Sequence, residues 1–315
     1  MAYGMTSNVL WNFQNSFGTS QTTSLQAIPI ISESLTENIE QLIETGMYNR
    51  LSESPTHEGP HIVEGEIAVE ALPTIMGWFL KSSVGLTSTT SGTGIQTHIF
   101  KPRTADFDDR AAGNPTTIEI HRDIAGAFVY QSMLGNQLSF NIANGELLKM
   151  DLSLMGTQVT SKAAASPTYP TDPPFQWDQC SAYFNGWAVS NLRNLTVTFG
   201  NQLEAVHTHN SANFPYRIKR TGHQQVSISG SMVFETHSLG DAFKNQNELP
   251  LVLMFTNSAA PHTFKMDFPA LRFSRFSTNI AAAGLIESTF EARAVYKASS
   301  DTTCEFTLVN TQTYY

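Results

Sequence analysis

The sequence predicts a mainly-β chain built twice from one module. Three observations carry this. Asn141–Gly156 reads NIANGELLKMDLSLMG, where Leu148, Met150, Leu152 and Leu154 alternate with Lys149, Asp151 and Ser153. Period two is the pattern of a half-buried strand. The same shape returns at Asn279–Arg293, NIAAAGLIESTFEAR, with Ile286, Phe290 and Ala292 on one face and Glu287, Thr289, Glu291 and Arg293 on the other. Finally, Gly65 and Gly230 each lie within an alternating strand that precedes a short helical pattern.

The elements follow in order. Residues 1–27 are rich in Ser, Thr, Asn and Gln and read as an arm or loop. Ile28–Ile31 begins a strand, and Ser34–Ile43 continues the sheet. Thr45–Pro60 carries Gly46, Pro55, Gly59 and Pro60 and reads as a polar connection. In Ile62–Glu70, Val63, Gly65, Ile67 and Val69 oppose Glu64, Glu66 and Glu70. The period then changes: Leu72, Ile75, Met76, Phe79 and Leu80 share one helical face, with Pro73 tolerated in the first turn.

Ser83–Gly94 and Asp106–Pro115 read as loops. Thr116–His121, Ala127–Leu134, Gln137–Ile142 and Leu147–Met155 read as short strands punctuated by Gly and Asn hairpin turns. The stretch 161–174 holds four prolines, a density that no ladder or helix interior accepts. The module boundary falls here. This gives an arm at 1–27, a first module at 28–160, a Pro-rich linker at 161–176 and a second module at 177–315.

The second half repeats the order. Leu192–Phe199 and Val226–Phe234 alternate, Asn201–Gly222 is a polar loop or long hairpin, and Leu239, Ala242 and Phe243 mark a short helix. Strands follow at Leu249–Phe255, Thr263–Phe268, Ala270–Thr278, Leu285–Tyr296 and Cys304–Asn310. The spacing from glycine to NIA is 76 residues in the first half and 49 in the second, so the first copy carries 27 extra, which the stretches between Ser83 and Pro115 absorb.

Composition narrows function. The chain has 315 residues, 41% hydrophobic and only 14% charged, with a net charge of −9. It is globular, and a surface poor in charge suits coverage by a partner. Net acidity argues against gripping nucleic acid, which needs Lys and Arg. Cys180 and Cys304 make no disulfide framework and read as free thiols. No secretory leader is evident, and the longest apolar stretches are too short to span a bilayer.

Motif chemistry is sparse. His207 and His209 offer two metal ligands without a third at a usual spacing. Asp106, Asp108 and Asp109 begin like a calcium loop, but the later glycine and closing glutamate are missing. Glu64, Glu66 and Glu70 form a uniform acidic face rather than a pair with divided pKa values. Arg217, Lys219 and Arg220, beside Phe214 and Tyr216, form one short basic cluster, read as a protein contact rather than a single-strand site. Asn194-Leu195-Thr196 matches a glycosylation sequon, which means nothing without secretion. No nucleophile elbow, Walker loop, dinucleotide fingerprint or HExxH occurs. An enzyme is therefore not expected, and neither metal nor cofactor is.

The stretches SESLTENIE (32–40), VEGEIAVEALPTIMGWFL (63–80) and NGELLKMDLSLMG (144–156) resemble the tail tube (major tail) proteins of long-tailed bacteriophages. So do LTVTFGNQLEAV (195–206), GHQQVSISGSMVFETHSLGDAF (222–243) and LIESTFEARAVY (285–296). Order and spacing carry the match over nearly the whole chain. The resemblance implies a β-sandwich module with a short flanking helix, hence two tandem sandwich modules here. It also implies six-module rings that stack into a tube for genome ejection, assembled in the host cytoplasm for the virion. The implied partners are other copies of the chain and the tape measure, terminator and distal tail proteins. DNA would pass without specific binding, and no membrane is involved.

Two modules per chain predict trimeric rings with pseudo-sixfold symmetry. Expected lumen residues are Glu64, Glu66, Lys149, Asp151, Glu287, Glu291 and Arg293. Expected contacts between subunits pair Arg217, Lys219 and Arg220 with a neighbour's Asp106, Asp108 and Asp109. The alternatives are another virion ring protein, such as a tail terminator, baseplate or capsid-decorating protein, or a carbohydrate-binding adhesin using Trp177, Phe184 and Trp187.

Overall fold

Alternating apolar and polar residues dominate the chain, and antiparallel sheet dominates the structure. The computed structural model describes residues 3–47, 49, 51–103, 109–123, 126–209, 212–257, 261–280 and 284–315. In the first half the strands are β1 (Asn8–Phe13), β2 (Gln26–Ile28), β3 (Ser32–Glu33), β4 (Thr36–Ile43) and β5 (Thr56–Glu70). Helix α1 (Pro73–Ser83) follows, then β6 (Leu86–Ser91), β7 (Gln96–Phe100), β8 (Thr116–His121), β9 (Ala127–Ala143), β10 (Lys149–Gly156) and β11 (Gln158–Lys162). The second half holds β12 (Cys180–Phe184), β13 (Trp187–Val189), β14 (Leu192–Gly200), β15 (Leu203–Val206), β16 (Arg217–Arg220) and β17 (Gln225–Val233). Helix α2 (Ser238–Lys244) leads to β18 (Leu249–Asn257), β19 (His262–Asn279), β20 (Glu287–Ala294) and β21 (Glu305–Asn310).

Eight strands form one continuous antiparallel sheet in the order β4-β5-β10-β9-β14-β17-β20-β19. A second layer covers its apolar face. In the first half that layer runs β2-β1-β8-β9-β11. In the second it runs β13-β12-β18-β19-β21-β7-β6. The long strands β9 and β19 bend and serve both layers, as sandwich corners require.

The two halves share one strand order, with the β6–β7 and β15–β16 hairpins as additions to it. β4, β5, β8, β9, β10 and β11 correspond to β14, β17, β18, β19, β20 and β21. Irregularities match as well. The β8–β9 ladder skips between Thr116 and Ile118, and the β18–β19 ladder skips between Leu249 and Leu251. The β9–β10 ladder jumps Asn136, and the β19–β20 ladder jumps Ser274. Pro250 sits where the ladder already lacks a bond, the position a strand proline needs. The glycines match through sterics. A Cβ on Gly65 would lie 2.5 Å from the Ser34 carbonyl oxygen, and one on Gly230 would lie 2.7 Å from that of Asn194. Crossing strands approach too closely there for any side chain.

Several expectations are corrected. The reading of residues 1–27 as arm or loop fails at Asn8–Phe13, a core strand whose Trp11 is fully buried and stacks on Phe79 at 5.4 Å. With its short partner β2, β1 corresponds to β12 and β13, so the first copy begins twenty residues before Ile28. The Ser/Thr-rich stretch after α1 is the β6–β7 hairpin, and β7 docks on β21 of the second half. The connection expected at 45–60 ends sooner, because β5 already begins at Thr56. Gly135 and Asn136 form a bulge inside one long strand rather than a hairpin turn.

The core crosses both halves. Phe140 of β9 lies 5.8 Å from Phe306 of β21, and Phe306 lies 6.3 Å from Phe264 of β19. Such pairs contribute about 0.5–1.5 kcal/mol each beyond area burial. Phe175, at the end of the proline-rich stretch, is buried against Phe255 and Phe264. The linker joins the copies without separating their cores.

Candidate functional site

In an antiparallel ladder directly paired residues point to the same face. The register therefore decides which polar side chains share a surface. Glu64 pairs with Met155, Glu66 with Ser153, and Ala68 with Asp151. Asp151 pairs onward with Ser139, and Lys149 with Asn141. Asn141 and Ser139 pair with Thr196 and Thr198, which pair with Ser229 and Ser227. Those serines pair with Glu291 and Arg293, and Glu287 pairs with Val233 on the same face. Glu64, Glu66, Lys149, Asp151, Glu287, Glu291 and Arg293 thus lie on one face of the eight-stranded sheet. The opposite face carries Val63, Ile67, Leu152, Leu154, Phe140, Val197, Ile228, Phe290 and Ala292, all buried.

The polar face is continuous across the seam between copies. Asn141 Nδ2 donates to Asp151 Oδ2 at 2.6 Å, and Thr196 Oγ1 donates to Asn141 Oδ1 at 3.2 Å. One row below, the Ser139 and Thr198 hydroxyls lie 3.3 Å apart. Burial pushes the Asp151 carboxyl above its ordinary pKa, and the Asn141 amide and Lys149 offset only part of that. Elsewhere the charges are paired at the surface: Lys149 with Glu146 at 2.6 Å, Glu291 with Arg275 at 3.4 Å, and Glu287 with Arg193. Exposed pairs of this kind contribute little to stability. They spread charge of both signs over a Ser/Thr/Asn-rich surface.

The expected contacts between subunits are placed differently. Arg217 Nε and Nη2 donate to Asp109 Oδ1 at 2.8 and 2.6 Å within one chain, and the Ile218 N–H donates to Oδ2 at 2.9 Å. Asp109 is fully buried, so it has no surface to offer a neighbour. Lys219 pairs in register with Glu204 in the β15–β16 hairpin. Arg220 donates to Asn201 Oδ1 at 3.0 Å. Arg217 and Asp109 therefore meet in an internal clamp that seats the hairpin, in place of a contact with a neighbouring chain. Asp106 and Asp108 lie outside the described residues.

The remaining motifs do other work. His207 Nε2 contacts the His61 carbonyl at 3.0 Å. Among the described residues no group of three or more His, Cys, Asp or Glu is placed to hold a metal. Burial pushes the Cys180 thiol up to about 11 and that of Cys304 still higher, so neither is a reactive thiolate. Phe184 is buried, while Trp177 and Trp187 are exposed. No helix among the described residues is long and apolar enough to cross a membrane.

Sequence reasoning missed the two outer edges of the sheet. Among the described residues β4 pairs only with β5, and every β4 residue except Glu37 is exposed. On β19, Arg275–Asn279 pairs with β20 on one side and with no strand of the described residues on the other. Polar face and open edges together make a strip of sheet with one polar surface and two edges open among the described residues.

Residues 5–294 match the family model described as phage tail tube protein. The chain belongs to the phage tail tube protein family. No match was found among curated proteins. A phage tail tube protein is a structural component of the virion tail that assembles with copies of itself and with other tail proteins.

Proposed function

We propose that three chains close into a ring of six modules, that rings stack into the tail tube, and that the genome is ejected through the central channel. The observation that carries this reading is the β9–β14 ladder. It joins two equivalent four-stranded sheets within one chain, so a chain already contains one junction between modules. Three chains then supply six modules and 24 strands, by extension of the eight-stranded sheet.

The polar face lines the channel in this reading. Its glutamates repel phosphate, and its Ser, Thr and Asn hydroxyls and amides are engaged with one another. Such a wall lets a duplex slide without holding it. The sandwich cores lie outside the lining. The tip of the β4–β5 hairpin, with exposed Met47 and Leu51, suits contact with the next ring. The tape measure, terminator and distal tail proteins complete the tail, and assembly takes place in the host cytoplasm.

Microscopy of the purified protein tests the reading. Rings or tubes with a central hole are expected, with threefold symmetry and sixfold pseudo-symmetry in averaged maps. Chains that stay monomeric at every concentration, or rings of six whole chains, overturn it.

A further inference from the structure

The internal seam shows what completes the open edges. Along one side of β9, β8 covers the strand up to Met133, and β14 takes over from Gln137 to Ala143. Along the same side of β19, β18 covers the strand up to Leu271, and Arg275–Asn279 is left without a partner strand among the described residues. The strand that fills the slot on β9 is β14, whose counterpart in the first copy is β4. β4 is the strand with a free edge.

We infer that β4 of a second copy of this chain pairs antiparallel with Arg275–Asn279 of β19, in the register set by the internal β9–β14 ladder. This rests on the ring reading above and specifies its contact.

The register follows from two matches. The shared bulge and NIA sequence place Asn141 on Asn279, and the two glycines with their blocked neighbours place Thr196 on Thr36. Internally, Asn141 faces Thr196, Ser139 faces Thr198, and Leu138 faces Phe199. Transferred, Asn279 faces Thr36, Ser277 faces Asn38, Phe276 faces Ile39, and Arg275 faces Glu40 of the neighbour.

Burial and charge support that alignment. At the internal seam Leu138 and Phe199 are fully buried. At the free edges their counterparts are uncovered: Ile39 is 49% exposed and Phe276 is half-buried. Pairing places these two against each other and removes apolar surface that each edge leaves in water. The edges also differ in sign. β4 and its ends carry Glu33, Glu37, Glu40 and Glu44, of which Glu33, Glu37 and Glu44 are matched within the chain by Arg122, His61 and His57, whereas the exposed part of β19 carries Arg272, matched by Glu248, and Arg275. Arg275 reaches Glu291 only at 3.4 Å across a largely exposed pair, so its guanidinium is free to turn toward Glu40. Like charges set opposite one another disfavour pairing of either edge with itself. Pairing is therefore head to tail, which closes a ring when the rotation from chain to chain is one third of a turn, as in the threefold reading above.

Disulfide trapping tests this in the full chain. Cross-strand neighbours have Cα atoms about 4.5–5.5 Å apart, within disulfide reach. The variant Asn38→Cys/Ser277→Cys, oxidised after assembly, is expected to run as covalent dimer and trimer with no larger species. Each single variant stays monomeric on the same gel. Rings visible by microscopy without cross-linking overturn the edge pairing but leave the ring reading intact. No rings in the wild-type protein overturns the ring reading itself. Cross-linking of Thr36→Cys/Ser277→Cys in preference to Asn38→Cys/Ser277→Cys overturns the register. Independently, Arg275→Glu is expected to reduce ring yield at least tenfold, and Glu40→Arg in the same chain is expected to restore it. Failure of that rescue, with both proteins folded by circular dichroism, also overturns the pairing.

Discussion

Asn201 donates its buried side-chain amide to the Gly135 carbonyl at 2.8 Å, tying the second copy to the first beside the bulge of β9. The same amide donates to the Ser83 carbonyl at the end of α1, at 2.6 Å. Its Oδ1 accepts from Arg220 and Gln224. One side chain therefore holds the bulge, the helix end and the β15–β16 hairpin.

Asn201→Ala leaves two buried carbonyls without this donor and two donors without this acceptor. Each such loss costs about 1–3 kcal/mol, partly relieved by water. A loss of about 2–4 kcal/mol in chemical denaturation is expected on this basis. Asn201→Asp keeps the acceptor for Arg220 and removes the donor, so a milder loss is expected.

Asp109→Ala is expected to be as damaging. It takes a fully buried carboxylate away from Arg217 and from the Ile218 N–H. Breaking a buried pair typically costs about 3–5 kcal/mol. Arg217→Met in the Asp109→Ala background should recover part of the loss. A double-mutant cycle measures the coupling.

Gly77 lies under the ring of Tyr315, and a Cβ at this position would overlap that ring. Tyr315 is buried beside Trp78 and His98, with its hydroxyl on the first turn of α1. Gly77→Ala should destabilise by about 1–3 kcal/mol through overpacking. In a Tyr315→Ala background the same change should be neutral or stabilising, because alanine is the better helix former. Thermal melts of the four proteins check this.

Lys81 gives a pH signature. Burial, and then the nearby Arg103, lower its pKa from 10.5 to about 8. Between those two values the unfolded chain holds a proton that the folded chain has released. Stability therefore rises with pH from about 8 to 10.5, and below about 8 the folded state bears the full cost of a half-buried charge. Lys81→Met should flatten that rise. Denaturation midpoints at both ends of the window, for the two proteins, give the comparison.

Glu64→Lys with Glu66→Lys reverses two charges on the polar face, at neighbouring rows of β5. Tube formation should be unchanged, whereas genome ejection from phage carrying the variant should slow. Raised salt should restore it, since phosphate attraction is screened. Normal ejection at low salt would place these residues away from the channel.

Alternation made most of this architecture readable. Lys149 to Gly156 and Glu287 to Ala294 are the strands expected, with the expected faces buried. The helix from Pro73 was readable from its change of period and its early proline. What escaped has common physical causes. Glycine and asparagine serve bulges as well as turns, so β9 looked like two strands. β1 is a short apolar run inside a polar stretch, and only its packing against Phe79 and Trp78 shows that it belongs to the core. The hairpin β6–β7 is nearly all Ser and Thr on one arm, so composition hid an edge strand. Asp109 and Arg217 meet across a separation of 108 residues, which no local pattern encodes. The seven residues of the polar face were each legible as polar positions. Their union on one surface depends on register, which sequence does not display.

The β9–β14 ladder also changes how assembly answers to dilution. Its two strands are covalently tethered, so each sees the other at an effective concentration fixed by the connection and not by the amount of protein present. Mass action governs only contacts between separate chains. A single-module protein would have to bring twice as many bodies together to enclose the same circumference, with a correspondingly steeper loss of assembly as protein becomes scarce. In the ring proposed above, fusion halves the number of separate chains that must meet, so assembly is expected at lower protein concentration.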